Sequence, residues 1–423
     1  MKNTTIRSKK PPERRHVEKR TTMLSQSKTS PQTSRSRSTR PQTARAFVSN
    51  SVAPTVIHGP ITPKEALSQY SSMLTTYEKT EILDYPEIYY IGKLSNKESQ
   101  KGPEPKFDSP THHYKVVIGD HIRYRYEIRS LLGKGAFGQV LRCYDYKTKK
   151  QVAIKIIINT SQMQKQGQRE IDMLKHLVSP EKKNHIIQLL DSFTFRNHLC
   201  AVFEVLGQNL YDYSKSMRFR PISIGTVQKI AKQILLALDF SHSHNIVHCD
   251  LKPENIMLVS GTPEHGVELI DYGSGCYIGD AHFDYIQSRF YRAPEVILGL
   301  PYGPPMDLWS LAAIIVELLT GKPIFPGVNE AEQISRYVEV LGLPPLEMIK
   351  GGKMSLRYFT ESGILKQING KKRVSPKSVT LARLTTLRNS SLLDFLSKCF
   401  VWDQNKRITA HDALSHPWIA LDS

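Results

Sequence analysis

The stretch 248–295 constrains the fold of this chain more than any other part of the sequence. Three of its polar residues, Asp250, Asn255 and Asp271, follow or precede short apolar runs such as 256–259. Apolar runs of this length predict short buried strands, so the three polar groups fall at strand ends and in loops. Such positions on a rigid scaffold commonly carry chemistry.

Phosphoryl transfer is the chemistry that this set of side chains suits. The reaction requires a carboxylate that orients the attacking hydroxyl, a cation beside the transferred group, and metal ions that bridge the phosphates. Asp250, Lys252 and Asn255 supply a base, a cation and an oxygen ligand on one loop, and Asp271 adds a hard anionic oxygen suited to Mg²⁺. A single Asp or Asn is usually a turn residue, but the ordered set HxDxKxxN, DxG and APE rarely arises by chance.

A glycine-rich segment, LLGKGAFGQV at 131–140, precedes this stretch and is followed by VAIK at 152–155. GxGxxG alone is a weak indicator, but a closing valine and a following VAIK predict a strand–turn–strand unit that covers nucleotide phosphates. Glycines allow the backbone to approach phosphates closely. We expect Lys155 to hold the phosphates and to pair with an acid on the next helix, for which Glu170 and Asp172 are the candidates.

These motifs resemble those of eukaryotic protein kinases. HCDLKPEN at 248–255 and YIQSRFYRAPEVILG at 285–299 closely resemble the dual-specificity tyrosine-phosphorylation-regulated kinases. The region 58–128 resembles the N-terminal accessory region and family homology box of the class II members of that family. The resemblance spans about residues 58–419. It implies an α+β, bilobal protein kinase fold, with a small β-rich N-lobe and a large, mainly helical C-lobe. It also implies transfer of phosphate from ATP, with Mg²⁺, to Ser or Thr of proteins, with a preference for a following Pro and an upstream Arg.

The resemblance further implies a role for each residue of the site. The catalytic residues that it implies are Asp250, Lys252, Lys155 and Glu170. The residues that it implies as Mg²⁺ ligands are Asn255 and Asp271. The residues that it implies for nucleotide binding are Gly133, Lys134, Gly135, Ala136, Phe137, Gly138, Gln139, Val140, Ala153, Lys155, Phe203, Glu204, Val205, Leu206 and Met257. Glu170 matches the family pattern, whereas Asp172 would point roughly 200° around the helix.

Cys249 replaces the arginine of the usual HRD motif, which in many kinases binds a phosphate on the activation loop. Tyr285 aligns with the tyrosine that the family autophosphorylates, and Phe283 occupies the place of an earlier tyrosine. Arg289 and Arg292 follow Tyr285 by four and seven residues. We expect both arginines to clamp a phosphate on Tyr285 through charge-assisted hydrogen bonds.

Tyr272 stands where most kinases have the phenylalanine of DFG, and its hydroxyl requires a polar partner if it is buried. By the same resemblance, Arg407 is expected to anchor Glu295 through a buried ion pair. Asp307 is expected to brace the backbone of the catalytic loop.

The start of the chain differs from the rest in composition. Residues 1–46 hold 13 Lys and Arg against two Glu. The resulting excess of 11 positive charges is more than half of the net charge of the chain, which is +19. Few large apolar residues are present to offset the entropy of ordering the chain, so we expect a disordered tail. Basic clusters at 9–15 and 35–40 are typical either of a nuclear import signal or of a solubilising tail.

Order is expected to resume near His58. Thr62, Pro63 and Glu65 form a capping box with proline at the first helical position, and a helix this short requires a docking surface. Residues 93–113 are polar and proline-rich, which predicts a mobile loop. The expected domains are a disordered basic tail over 1–57, an accessory region with a family homology box over 58–122, an N-lobe with hinge over 123–207 and a C-lobe over 208–419.

The remaining composition excludes several classes of protein. Five scattered cysteines without a CxxC pair favour reduced thiols, hence a cytoplasmic or nuclear location, and argue against a zinc site. No apolar run approaches the length that spans a bilayer, and the N-terminus lacks the apolar segment of a secretory signal. We expect a monomer that uses protein substrates and ATP and has no membrane partner.

Two alternative functions stay open. A pseudokinase scaffold that acts through residues 58–118 is suggested by Cys249 and Tyr272, although the intact lysine and metal set speaks against it. A nucleic-acid-binding protein would use the basic tail, but residues 1–46 contain no aromatic side chains for base stacking. We therefore expect no nucleic-acid partner.

Overall fold

The computed structural model describes residues 57, 59–95, 97, 106–179, 184–280, 286–367 and 374–420. All of these residues belong to one compact unit that spans 54–423. Most of the expected tail, over 1–56, lies outside the described residues, as do Phe283 and Tyr285.

Two short helices, α1 (Pro63–Tyr70) and α2 (Thr76–Glu81), open the described chain. Each begins after a threonine whose hydroxyl accepts from the backbone of a glutamate three residues on, so the capping box predicted at Thr62 is confirmed. Apolar side chains of α1, together with Leu74 before α2 and Ile82 after it, pack in a cluster with Ile57 and Tyr124. Ile57 was expected in the tail, but its apolar side chain is buried, so the packed region includes this residue.

An antiparallel sheet of six strands follows. Its strands are β1 (His121–Ile122), β2 (Tyr126–Lys134), β3 (Gly138–Asp145), β4 (Lys150–Ile157), β5 (Leu189–Phe195) and β6 (His198–Glu204). The hydrogen-bonded order is β1–β2–β3–β4–β6–β5. Successive residues of a strand point to opposite faces. Ile154 therefore joins the apolar cluster of one face, while its neighbour Ala153 and the paired Phe203 join the larger core on the other.

Helix α3 (Ser161–His176) connects β4 to β5 and carries Glu170. Thr160 caps the helix, because its hydroxyl accepts from the backbone of Met163. The buried face of the helix includes Ile171 and Leu174, and Glu170 is buried with them. Packing of this apolar face fixes the position of the acidic side chain.

The rest of the described chain is mainly helical, with two short antiparallel ribbons. The ribbons pair β7 (Ile246–Val247) with β10 (Cys276–Tyr277), and β8 (Ile256–Leu258) with β9 (Val267–Leu269). The helices are α4 (Leu210–Ser216), α5 (Ile224–Ser243), α6 (Pro294–Leu298), α7 (Pro305–Thr320), α8 (Glu330–Leu341), α9 (Leu346–Gly351), α10 (Leu381–Thr385), α11 (Ser390–Cys399), α12 (Ala410–Leu414) and α13 (Pro417–Ala420).

The ribbons carry the three polar residues that the sequence singles out. Asp250 comes three residues after the end of β7, Asn255 directly precedes β8, and Asp271 comes two residues after the end of β9. The buried side chains of these strands confirm the predicted alternation of short apolar strands and polar loops.

Helix α7 forms the centre of the helical part. Residues 306–316 are all buried, and the ring of Trp309 packs edge-on against Tyr337 with centroids 4.8 Å apart. Beside this helix, Arg407 donates from its two terminal nitrogens to the two carboxylate oxygens of Glu295 at 2.7 and 2.8 Å. The predicted buried ion pair is confirmed.

The predicted fold class, with a β-rich small lobe and a mainly helical large lobe, is confirmed by this arrangement. In the part of the chain that the structure describes, no helix is both long enough and apolar enough to cross a membrane.

The prediction of a mobile loop over 93–113 is wrong at Lys97 and Asp108, and stays a prediction for the rest of that segment. Lys97 is fully buried, and its Nζ lies 2.9 Å from Oε2 of Glu78. Asp108 accepts from Nε2 of the buried His198 at 2.8 Å. Buried charges must be paired, so these contacts hold the side chains of Lys97 and Asp108 in place.

Candidate active site

A cavity of about 850 Å³ is lined by residues of both the sheet and the helical part. Concave sites of this size commonly bind small molecules. The predicted residues that line it are Gly133, Lys134, Gly135, Phe137, Gly138, Val140, Ala153, Lys155, Glu170, Phe203, Glu204, Leu206, Asn255, Met257 and Asp271.

Three residues of the predicted nucleotide set, Ala136, Gln139 and Val205, are not among the lining residues. Gln139 is buried, and its Nε2 donates to the backbone carbonyl of Tyr114 at 2.8 Å. It alternates along β3 with the lining residues Gly138 and Val140, as neighbouring positions of a strand do.

Several apolar residues of the cavity were not predicted. Leu132 and Ile270 each directly precede a predicted residue, and Ile187 comes from the segment before β5. Adjacency to the motifs is a signal that points to the first two. Ile187 carries no such signal, because only the packing of the chain brings its segment to the cavity.

Lys155 lies between two carboxylates. Its Nζ is 2.7 and 2.9 Å from the two oxygens of Glu170 and 2.9 Å from Oδ1 of Asp271. Burial alone would lower the pKa of Lys155, but the two carboxylates raise it above its ordinary value. The lysine therefore stays charged, and it joins β4, α3 and the loop after β9 in one contact.

The two carboxylates differ in how readily they ionise. The Lys155 charge lowers the pKa of Asp271, more than burial raises it. Burial raises the pKa of Glu170 in spite of the same ammonium group. Asp271 is therefore the carboxylate that stays ionised to lower pH.

Both carboxylate oxygens of Asp250 are positioned by hydrogen bonds. Oδ1 accepts from the backbone N–H and from the hydroxyl of Ser288, each at 3.1 Å, and Oδ2 accepts from Nζ of Lys252. Asn255 donates from Nδ2 to the backbone carbonyl of Asp250 at 2.9 Å. Ser288 was not predicted, since the sequence gives no signal that it contacts this loop.

Asp307 braces the same loop, as predicted. Its Oδ2 accepts from the backbone N–H of His248 at 2.9 Å, and its Oδ1 accepts from that of Cys249 at 3.0 Å. Cys249 has a left-handed backbone, with φ of 66°, which a non-glycine residue adopts only when its surroundings hold it there.

Asn255 and Asp271 offer oxygen donors to one cavity. Asn255 uses its amide nitrogen on the Asp250 carbonyl, so its amide oxygen is the atom left for a cation. Asp271 is ionised, and Lys155 binds one of its two oxygens. An anionic and a neutral oxygen donor suit Mg²⁺, which keeps several water ligands and takes one or two carboxylates. The residues therefore fit the metal that the resemblance implies.

The two unusual motif residues are both buried. The hydroxyl of Tyr272 lies 2.7 Å from Oγ of Ser241, which supplies the polar partner that its burial requires. The Sγ of Cys249 lies 3.5 Å from the Sγ of Cys276. A pair of thiols thus stands where an arginine would place a cation.

The two arginines expected to bind a phosphate on Tyr285 differ in their surroundings. Arg292 is buried and donates from Nε and Nη2 to the carbonyl of Gln287, at 3.2 and 2.6 Å, and from Nη1 to Glu330 at 2.8 Å. Arg289 donates from Nη1 to one backbone carbonyl, and its buried Nε has no hydrogen bond within the described ranges. Because Tyr285 lies outside the described residues, its contact with either arginine stays a prediction.

Comparisons with known proteins agree with this geometry. The family model described as a protein kinase domain matches residues 126–419. Dual specificity tyrosine-phosphorylation-regulated kinase 3 of Macaca fascicularis is 40% identical over 401 residues, which cover 88% of this chain and 69% of the relative. Dual specificity tyrosine-phosphorylation-regulated kinase 4 of Homo sapiens is 42% identical over 368 residues, which cover 85% and 70%. A probable serine/threonine-protein kinase, dyrk2 of Dictyostelium discoideum, is 42% identical over 374 residues, which cover 85% and 40%.

Proposed function

Since this chain belongs to the protein kinases, and among them to the dual specificity tyrosine-phosphorylation-regulated kinases, we propose that it transfers the γ-phosphate of ATP to Ser and Thr followed by Pro. The observation that carries this proposal is the position of Lys155, which contacts both Glu170 and Asp271 in the cavity that Asn255 also lines. A pseudokinase scaffold is not favoured, because every side chain that the reaction requires is present.

Each charged residue of the predicted site has a distinct part in the proposed transfer, including Asp250 and Lys252, which are not among the residues that line the cavity. Lys155 binds the α- and β-phosphates, and Glu170 keeps its ammonium group in place. Asp250 orients the substrate hydroxyl and accepts its proton as the oxygen bonds to the γ-phosphorus, while the bond from that phosphorus to ADP breaks and ADP leaves. Lys252, which donates to Asp250, contacts the transferred phosphate. Asn255 and Asp271 would hold Mg²⁺, which would supply positive charge beside the phosphates.

The preference for a following Pro is supported by the backbone of Gln287. This residue has φ of 65°, and its carbonyl already accepts two hydrogen bonds from Arg292. It directly precedes Ser288, which holds the catalytic Asp250. A substrate residue beside Gln287 cannot donate its backbone N–H to this carbonyl, because Arg292 already occupies it. Pro has no backbone N–H, so it loses nothing at this position.

The preference for an upstream Arg is supported by two acidic residues, of which Glu254 lines the cavity and Glu317 does not. Glu254 lines the cavity, and Glu317 accepts from the hydroxyl of Tyr291 at 2.7 Å. Burial raises the pKa of Glu317, the hydrogen bond from Tyr291 opposes that rise, and the negative charge of Glu254 adds to it. We propose that an arginine of the substrate lies between them, where its fork of donors meets both carboxylates.

A set of three peptides tests this specificity. The first has Arg three residues before a Ser-Pro pair, the second has Ala for that Arg, and the third has Ala for the Pro. We expect kcat/KM to fall about tenfold for each replacement, which corresponds to about 1.4 kcal/mol. Equal rates on all three peptides, by an enzyme that does use ATP, would contradict both preferences.

Autophosphorylation of Tyr285 is a further part of the proposal. Arg289 supports this modification, because it follows Tyr285 by four residues and its Nε has no hydrogen bond in the described part of the chain. Arg292 already bonds Glu330 and Gln287, so we expect Arg289 to make the larger contribution. Mass spectrometry of protein made in bacteria is expected to find phosphate on Tyr285, and none on an Asp250→Asn variant made in the same way. An unmodified yet fully active enzyme would contradict the clamp.

A further inference from the structure

Tyr272 and Ser241 form a hydrogen-bonded pair directly behind Asp271. Both side chains are fully buried, and the tyrosine hydroxyl lies 2.7 Å from Oγ of Ser241. The ring of Tyr272 also packs edge-on against His248, with centroids 4.8 Å apart. Ser241 belongs to α5, so the contact joins the core helix of the large lobe to the residue that follows Asp271.

The direction of this hydrogen bond follows from counting protons. Ser241 has one hydroxyl proton, and it donates to the backbone carbonyl of Ala237 at 2.8 Å. The bond between the two hydroxyls must therefore be donated by Tyr272 and accepted by Ser241. Burial raises the pKa of Tyr272, so its hydroxyl is protonated and able to donate at physiological pH.

The consequence concerns Asp271, because it is joined to Tyr272 by one peptide bond. Asp271 has a left-handed backbone, with φ of 66°, and its carboxylate lies 2.9 Å from Nζ of Lys155. If Tyr272 turned outward to place its hydroxyl in water, the backbone of Asp271 would move with it and the Lys155 contact would be lost.

We propose that Ser241 is a positioning residue, which holds Tyr272 inward and thereby keeps Asp271 in place for Mg²⁺. The inference rests on the proposed role of Asp271 as a metal ligand. A buried hydroxyl without a partner favours any conformation in which water reaches it, so removal of Ser241 shifts the population toward the outward state. A phenylalanine at position 272 would need no such partner.

The pair predicts an asymmetric result for single substitutions. Ser241→Ala leaves the Tyr272 hydroxyl without an acceptor. Tyr272→Phe leaves Ser241 still bonded to Ala237, and so leaves no donor unpaired. The double variant places an apolar ring against an apolar methyl group. Tyr272→Phe is therefore expected to rescue Ser241→Ala.

Binding of a non-hydrolysable ATP analogue, measured by calorimetry with and without Mg²⁺, provides the test. Wild type is expected to bind the analogue more tightly with Mg²⁺ than without it. In Ser241→Ala the ratio of the Kd without Mg²⁺ to the Kd with Mg²⁺ is expected to be about tenfold smaller than in wild type. Tyr272→Phe and the double variant are expected to stay within about threefold of wild type. The ligand-free Tm is expected to follow the same order, lowest for Ser241→Ala and restored in the double variant.

Two results would overturn the inference. One is a Mg²⁺ effect in Ser241→Ala equal to that of wild type. The other is a double variant that binds as weakly as Ser241→Ala, which would mean that loss of the serine acts without Tyr272. Peptide phosphorylation by wild type is measured beside these experiments. An active wild type with either result refutes the positioning role alone, whereas an inactive wild type refutes the proposed function together with it.

Discussion

At the scale of single residues, Glu317 links substrate preference to pH. Its pKa is raised by burial and by the charge of Glu254, so the carboxylate is less ionised in mildly acidic solution than an exposed glutamate. The attraction for a substrate arginine is present above that pKa and is lost as the pH falls through it. We therefore expect the ratio of kcat/KM for the Arg and Ala peptides to fall as the pH is lowered, and to begin to fall at a higher pH than an exposed glutamate would allow.

Substitution of the same residue gives an independent prediction. Glu317→Gln removes the charge and keeps the shape and the acceptor for Tyr291, so the Arg-to-Ala ratio is expected to fall about tenfold with little change on the Ala peptide. Glu347→Gln is a matched control, because this glutamate is exposed in α9. An unchanged ratio in Glu317→Gln would place the arginine elsewhere.

The sequence predicts single residues where a motif names them and fails where a partner comes from a distant segment. Lys155 and Asp271 are predicted from the sequence, because each stands in a motif whose residues the reaction requires. Ser288 and Ser241 could not be predicted, because the partner of each is distant in the sequence. Ser288 bonds Asp250 across 38 residues, and Ser241 bonds Tyr272 across 31 residues. Tyr272 was predicted to require a partner, but the identity of that partner is set by the packing of α5.

At the scale of elements, α2 is attached to the small lobe by buried charges. Oε1 of Glu78 lies 2.8 Å from Nζ of Lys97, 2.8 Å from Nε2 of His121 and 3.2 Å from Nη2 of Arg196. Glu78, Asp120 and His121 have the donor types of a metal site, but the Lys97 ammonium lies 3.7 Å from Asp120 as well. A cation of the protein thus fills the centre of this cluster.

Glu78 is expected to contribute strongly to stability. Removing one partner of a buried ion pair leaves the others uncompensated, so Glu78→Gln is expected to lower the free energy of unfolding by about 3–5 kcal/mol. Glu65→Gln is the matched control, because Glu65 has the same capping-box position in α1 but is exposed. Chemical denaturation of both variants measures the difference. Equal stabilities would mean that the buried cluster contributes nothing net.

The same cluster has a defined pH dependence. Burial alone would raise the pKa of Glu78, but His121 and Lys97 lower it well below its ordinary value. A carboxylate with a lowered pKa contributes stability above its unfolded-state pKa, about 4.3, and loses it as the pH falls through the folded-state pKa. The gap between wild type and Glu78→Gln is therefore expected to narrow below about pH 4. A gap that widens in acid would contradict the assignment.

Local signals predict α1 and its cap, whereas the docking of α2 was not predicted. Capping boxes are read within four residues of sequence, and both are present in the structure. The partners of Glu78 lie 19, 43 and 118 residues away, so no local pattern indicates them. Lys97 shows the same limit, because its polar, proline-rich neighbourhood predicts a loop while its contacts bury it.

At the scale of the whole molecule, the cavity between the two lobes requires the sheet, α3 and the ribbons together. Among the residues that the structure describes, none before Leu132 lines this cavity. We therefore expect a protein that lacks residues 1–53 to keep the kcat/KM of the full chain within about twofold. Peptide phosphorylation by the two proteins measures this. A large loss on deletion would give the basic segment a part in catalysis.

We also propose a cytoplasmic or nuclear location, with the basic clusters of 1–46 as the candidate import signal. A fluorescent fusion of the full chain is expected to enter the nucleus, and the fusion that lacks residues 1–53 to stay in the cytoplasm. Equal distributions of the two fusions would favour the alternative, a solubilising segment.

The most direct test of the proposed function is phosphate transfer from ATP to the Ser-Pro peptide by wild type and by Asp250→Asn. The substitution removes the carboxylate charge that accepts the substrate proton, and its amide can still bond Ser288. We expect loss of about 10²–10⁴-fold in kcat, the range for removal of general base catalysis, with nucleotide binding retained. Equal kcat in the two proteins would contradict the assignment of this cavity as the active site.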